Sequence, residues 1–239
     1  MVRFWMERGL IEPTPAPKDL GARLGAWLDV RQAIVLHQVL GSDTDALARD
    51  QTRAADLRRQ TDDALQSLRE AIGMDRFAPG LWRNPMPIEV SWQAPVWAEC
   101  WEPYRRYMVD HQKQIGWVLS RLRRRLREAL SDAGGVSHAL AQMDAVFDQT
   151  LTPKEVRVLA SLPFKFEHRL LALMKDPDLR QPVPLQEASP SNTRPVDHPL
   201  KPGWLLSFEH DIRQSLLTEL HLRSQPVLGL LDALQAHCP

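Results

Sequence analysis

The sequence predicts an all-α protein, an irregular bundle of about five to seven helices, and three observations carry that prediction. Apolar residues recur at three- and four-residue spacing in nearly every segment, which is the period of a helix that packs one face on a core. Alternating β-branched runs bounded by turn residues, the mark of strands, are almost missing. Prolines concentrate around 79–103 and 176–203, where each removes a backbone donor and obstructs the preceding helical turn. The expected organisation is an N-terminal tail (1–17), a main helical domain (18–175) interrupted by a Trp/Pro-rich connector (79–103), a Pro-rich linker (176–203) and a C-terminal helical segment (204–239) packed on the main domain.

The first helix is expected over about 18–40, with Leu20, Leu24, Trp27, Leu28, Ala33, Ile34, Val35 and Leu36 as a broad core-facing stripe ended by Gly41. "SDTDALARD" restarts a helix, since Ser42 to Thr44 offer caps to unpaired amides and acidic groups to the positive end of the helix dipole. That second helix runs to about Ile72 and has only a thin apolar stripe, Ala54, Leu57, Ala64, Leu65, Leu68 and Ile72, with Gly73 closing it. In the connector, Trp82, Trp92, Trp97 and Trp101 stand among prolines. They read as a strap packed over the bundle, with an exposed aromatic surface for a partner as the alternative.

The third helix, about 103–132, holds "RLRRRLREAL". Projected at 100° per residue, Ile115, Val118, Leu119, Leu122, Leu126 and Leu130 share one face, while Arg121, Arg123, Arg124, Arg125 and Arg127 fall on the flanks and back. The leucines read as core and the arginines as a surface, the candidate interaction face. Gly134 and Gly135 let the chain reverse. A short helix with Leu140, Met143, Val146 and Phe147 then leads to "LTPKE", where Thr152 reads as an N-cap, Pro153 as the first helical position and Glu155 as the partner in a capping box. The new helix is expected to kink near Pro163, and the last one, from Trp204 to Gln235, to bend or divide at Pro226. The stretch "RQPVPLQEASPSNTRPVDHPLKPG" lacks a hydrophobic face, which makes it the best candidate for disorder.

Catalytic patterns are missing: there is no glycine-rich phosphate loop, no serine between spaced glycines and no histidine pair flanking a glutamate. "FEH" recurs at Glu167-His168 and Glu209-His210, but adjacent residues point in different directions on a helix, against shared metal ligation; only tertiary convergence of His168, His210, Glu219 and His221 could build a site. Asp62 with Asp63, or Glu99 with Glu102, are the candidate acid/base pairs, and exposed carboxylates of this kind are usually solvated. Cys100 and Cys238 support neither a structural disulfide nor a four-ligand zinc site. The reading is a non-enzymatic protein with no cofactor and no metal. No apolar run approaches the ~20 residues of a membrane helix, and Glu7 and Arg8 interrupt any secretory signal, so a cytoplasmic protein is expected.

Charge is segregated although the chain is neutral. Residues 1–102 carry 12 basic and 15 acidic groups, 103–175 carry 13 and 7, and 176–239 carry 5 and 8, or −3, +6 and −3. Five clustered arginines could give nonspecific phosphate affinity on the order of 10⁻⁴ to 10⁻⁶ M, yet a chain of zero net charge lacks the basic excess of a dedicated nucleic-acid domain. A basic middle between acidic ends can pair internally with the second or last helix, or meet an acidic protein or an anionic membrane surface. The reading favours a solvated or internally paired face, and a protein partner over nucleic acid. A thin stripe on the second helix and the last amphipathic segment leave homo-oligomerisation open.

Four phrases in order, "LGARLGAWLDVRQAIVLHQVL", "YRRYMVDHQKQIGWVLSRLRRRLREAL", "AQMDAVFDQTLTPKEVRVLASLPFKFEHRLLAL" and "LLTELHLRSQPVLGLLDAL", resemble the uncharacterised proteobacterial family called domain of unknown function 3348. The likeness covers most of the chain from Asp19 onward, and its motifs are helix-packing patterns, so it implies no catalytic residues. It implies a context instead: neighbours resembling a proton-channel-like membrane protein and an outer-membrane-protein-A-like peptidoglycan binder, and hence a cytoplasmic adaptor or accessory of a stator-like envelope complex.

Overall fold

The computed structural model describes residues 2–9, 19, 25–26, 28, 30–40, 51–73, 97–175 and 203–236. Its regular elements are α-helices throughout: α1 (Val2–Glu7), α2 (Val30–Leu40), α3 (Gln51–Gly73), α4 (Trp97–Asp132), α5 (Gly135–Leu159), α6 (Leu162–Lys175) and α7 (Gly203–Ala236). The all-α class read from the apolar period is the class of the structure.

Two long helices organise the bundle. α4 lies along α7 and against α5, α3 crosses both α4 and α7, α6 covers α4 and α7, and α2 rests on α5. The core between them is built from Tyr104, Tyr107, Met108, Ile115, Leu126 and Leu130 of α4 with Leu205, Phe208, Ile212, Leu216, Val227 and Leu231 of α7, all buried. Each such side chain contributes about 1.5–3 kcal/mol by leaving water. Phe208 sits edge-on to Tyr104 at 5.6 Å and to Phe166 at 5.9 Å between ring centroids, the arrangement that aromatic quadrupoles favour.

Several elements follow the sequence reading closely. On α3, Leu57, Leu65, Leu68 and Ile72 are buried together with Thr61, whose hydroxyl donates to the Leu57 carbonyl at 2.8 Å, and Arg53, Arg59, Asp62, Asp63, Arg69 and Glu70 face outward. Ile115, Leu119, Leu122, Leu126 and Leu130 of α4 form its buried face as projected. Gly134 and Gly135 take φ of 68° and 57°, left-handed values that a Cβ would oppose, and they reverse the chain so that α5 returns along α4.

Other expectations are corrected, each for an identifiable reason. α4 starts at Trp97 rather than Pro103, so Pro103 lies inside it; the lost donor affects one bond near the helix start, while Cys100, Trp101 and Tyr104 around it are buried. "LTPKE" does not begin a helix: α5 runs through it, with Pro153 inside. The Thr152 hydroxyl donates to Asp148 Oδ1 at 2.7 Å, one turn back, and Glu155 pairs with Arg223 of α7 at 2.6 Å, so neither side chain is available for a box. The expected kink near Pro163 is a break at 160–161; α6 restarts at Leu162 and places Pro163 in its first turn, where a missing N–H costs nothing. Pro226 does not divide α7. It is exposed, the Ser224 and Gln225 side chains donate to the His221 carbonyl at 2.9 and 3.1 Å, and Val227, Leu230, Leu231 and Leu234 hold the segment beyond it in the core. Ile34 and Val35 are exposed rather than core-facing. Four consecutive apolar residues from Ala33 span most of a helix circumference, and one packing surface on α5 cannot cover them all.

The segment read as an N-terminal tail contributes α1, whose Trp5 is buried in the main core and donates Nε1–H to Ser215 Oγ at 3.0 Å. The caps at 42–44, Trp82 and Trp92, and the linker residues 176–202 with their expected disorder lie outside the described residues. Of the connector tryptophans, Trp97 is the first residue of α4, and Trp101 is buried, as a packing role requires.

Candidate interaction site

The five arginines of the 121–127 run on α4 do not form one face. Successive helix positions turn by 100°, so Arg123 and Arg127 point into the seam with α5, Arg125 points toward α3, and Arg121 and Arg124 point to solvent. Arg123 grips Asp144 through Nε at 2.8 Å and Nη2 at 2.6 Å, and reaches Asp148 through Nη1 at 2.7 Å. Arg127 Nη1 lies 3.0 Å from Asp148 and 3.4 Å from Asp144. Burial works against the charge on Asp148, but the Thr152 hydroxyl and the two guanidinium groups outweigh it and hold its carboxyl below the ordinary range. Two cations and two anions therefore cancel within the seam. Arg125 donates to Gln60 Oε1 at 2.5 Å, at the edge of a cleft of about 250 Å³ between α3 and α4. Part of the run is thus mortar between helices: Arg123 and Arg127 are internally paired, with acidic partners from α5 rather than from the second or last helix, while Arg125 takes the uncharged Gln60 of α3 as its partner.

What α4 leaves in water is narrower and more specific. Lys113, Trp117, Arg121 and Arg124 follow one another at four-, four- and three-residue steps, which places them in a single stripe. Trp117 is 61% exposed, and the Arg121 guanidinium carbon lies 5.7 Å from its ring centroid, a cation–π contact. Arg124 is 68% exposed with a loose 3.9 Å contact to Glu128. Trp117 was not singled out in the sequence, although the signal was present: it lies 200° from Ile115, opposite the core stripe.

The other polar groups are internal. Glu219, fully buried on α7, accepts from Gln112 Nε2 at 2.9 Å and Arg223 Nη1 at 3.0 Å, and Arg223 in turn reaches Glu155. Burial raises its carboxyl above the usual range against the opposing pull of Gln112 and Arg223. Asp211 is held by Arg169 at 2.5 Å and Arg8 at 3.2 Å, and Glu209 accepts the Tyr104 hydroxyl at 2.7 Å. Buried carboxylates answered this way hold helices in register.

The remaining chemical candidates separate in space. Glu209 and Glu219 are buried while His168, His210 and His221 are exposed, and among the described residues no group of three His, Cys, Asp or Glu is arranged to hold a metal. Asp62 pairs with Arg58 at 3.1 Å and Asp63 is exposed. Glu102 accepts from Arg105 at 2.6 and 2.8 Å and from Arg106 at 2.8 Å, which pulls its carboxyl down to about 2 and keeps it ionised rather than proton-exchanging near neutrality. The side chain of Glu99 lies outside the described residues. Cys100 is buried, and among the described residues no helix is long and apolar enough to cross a membrane.

Fold and site together define an all-α bundle stitched by interhelical ion pairs, with an aromatic–cationic stripe along its longest helix. The family model described as Protein of unknown function (DUF3348) matches residues 9–236, and the chain belongs to that family. No curated protein and no solved structure matches it.

Proposed function

We propose that this protein is a non-enzymatic helical adaptor that binds an acidic segment of a protein partner along the α4 stripe. The observation that carries this reading is Trp117, a large aromatic side chain left mostly in water beneath the Arg121 guanidinium. Trp and Arg are the residue types that concentrate binding energy at protein interfaces. Lys113 and Arg124 on the same stripe supply complementary charge for steering an acidic partner. The pairing of Arg123 and Arg127 with aspartates supports a protein partner over nucleic acid, because those two guanidinium groups are spent within the bundle. On the family resemblance, the partner belongs to an envelope membrane complex and is met from the cytoplasmic side.

Affinity capture of the full chain from native extract after nuclease treatment tests the reading. A partner that co-purifies with wild type, weakens with salt, and is lost from Trp117→Ala and from Arg121→Glu/Arg124→Glu is the expected result. A partner retained by both variants, or one removed by nuclease, overturns it.

A further inference from the structure

The outward stripe of α4 is self-complementary, and we propose that it pairs with the same stripe of a second copy of the chain, antiparallel and centred on Trp117. Counted outward from Trp117, Lys113 and Arg121 stand four residues away, Asp110 and Arg124 seven, and Arg106 and Glu128 eleven. At 100° per residue, Arg106, Asp110, Arg124 and Glu128 fall within about 20° of the Trp117 line, and Lys113 and Arg121 lie about 40° to opposite flanks. Trp117 is 61% exposed, and the Arg106, Arg124 and Glu128 side chains are 66%, 68% and 59% exposed.

Two such helices laid antiparallel about a two-fold axis at Trp117 bring unlike charges together. Arg124 meets Asp110 of the second copy, Glu128 meets its Arg106, and the axis repeats both contacts on its other side. Lys113 and Arg121 reach the same height on opposite flanks, so these like charges stay apart and border the two indoles. Arg121 already makes that cation–π contact within its own chain, 5.7 Å from the Trp117 ring centroid. The pairing does not require unengaged charges. Arg106 Nε donates to Glu102 at 2.8 Å, Arg124 lies 3.9 Å from Glu128, and half-buried Asp110 has a contact within its own chain. A guanidinium nevertheless carries five donors, a carboxylate accepts several, and exposed pairs one turn apart contribute little that a second chain must displace.

Other arrangements fail on the same residues. A parallel pair would set each residue against its own copy, arginine on arginine and glutamate on glutamate. Nucleic acid would bring phosphates onto Asp110 and Glu128. A bilayer would have to take in the charges that flank Trp117 on both sides. Self-pairing covers the surface assigned to the acidic partner, so the two associations exclude each other. That regulation rests on the adaptor reading, whereas the pairing itself stands on α4 alone.

Sedimentation velocity of the full chain over a concentration series tests the pairing. Wild type is expected to form a reversible dimer. Arg106→Glu or Glu128→Arg alone sets like charges opposite each other at both ends of the pair and should weaken the dimer about tenfold. Trp117→Ala should leave monomer, since it empties the centre of the interface. Arg106→Glu/Glu128→Arg reverses both members and should restore the dimer. Within one chain the two positions lie about 33 Å apart at 1.5 Å per residue, so restoration reports a contact between chains. These side chains are exposed, so circular dichroism like that of wild type is expected of every variant and shows that the losses are not unfolding. A monomeric wild type, single charge variants that dimerise like wild type, or a double variant that does not recover overturns the proposal. Partner capture by the double variant, which keeps Trp117, Arg121 and Arg124, separates the two readings. Dimerisation without capture supports the pairing and sinks the adaptor alone, whereas capture by a chain that is always monomeric overturns the pairing alone.

Discussion

Arg123 closes a bidentate pair on Asp144 in the seam between α4 and α5, with its Nε and Nη2 at 2.8 and 2.6 Å from the two carboxylate oxygens. The side chains are 14% and 11% exposed, so water screens the pair little. Removing Arg123 leaves Asp144 and Asp148 facing each other with only Arg127 between them. Arg123→Ala is expected to lose about 3 kcal/mol of unfolding free energy, and Arg124→Ala, one position away in sequence but in water, less than about 0.5 kcal/mol. Urea denaturation of the two variants checks this; equal losses would mean that the seam contributes nothing specific.

Gly116 faces Arg223 so closely that a Cβ there would lie 2.9 Å from Nη2. Arg223 is not free to retreat, being tied to Glu219 and Glu155 and donating to the Gln112 carbonyl at 3.3 Å. Gly116→Ala is therefore expected to destabilise the wild type by about 1 kcal/mol despite alanine's better helix propensity. In the Glu219→Gln/Arg223→Met background, where the guanidinium that meets the new methyl is gone, the same change should stabilise by about 0.5–1 kcal/mol. Thermal melts of the four proteins decide it, and an unchanged sign would refute the steric account.

His111 is buried on α4, with the Tyr107 ring at 4.4 Å, and burial pushes its imidazole down to about 4 against the weaker opposing pull of Asp110. Below about pH 6.5 the unfolded chain binds a proton that the native state refuses until about pH 4, so stability is lost as pH falls through that window. The full window corresponds to about 3 kcal/mol for this group. The difference in stability between wild type and His111→Gln should therefore shift with pH between 7 and 4. Glu219, whose carboxyl is raised, contributes with the opposite sign in both proteins and cancels in the comparison. A difference independent of pH would show that His111 titrates normally.

Pro226 sits inside α7 at an exposed position, where it withholds a backbone donor. Pro226→Ala is expected to raise unfolding free energy by about 1–3 kcal/mol, measurable as a higher melting temperature. A lower melting temperature would assign the proline a packing role.

How much of the fold and site is legible in the sequence depends on the range of the interaction. The all-α class, the buried face of α4 from Ile115 to Leu130, the thin stripe of α3 and the reversal at Gly134 and Gly135 are dictated by period and by local dihedral preference, which neighbours in sequence impose on one another. Thr152, Pro153 and Glu155 show where local logic fails. They spell a helix start, yet Asp148 and Arg223 claim the two side chains, and interhelical packing carries α5 straight through the proline.

The arginine run is decided in the same way. Composition and spacing determined that five cations would ring the leucines of one helix, and nothing in the string distinguishes Arg123 from Arg124. Only the docking of α5, which brings Asp144 and Asp148 from 21 and 25 positions away to Arg123, turns two of those cations inward and leaves Arg121 and Arg124 beside Trp117 in water. Helix period is a property of the chain itself, whereas the neutralisation of a charge depends on which other helix arrives beside it.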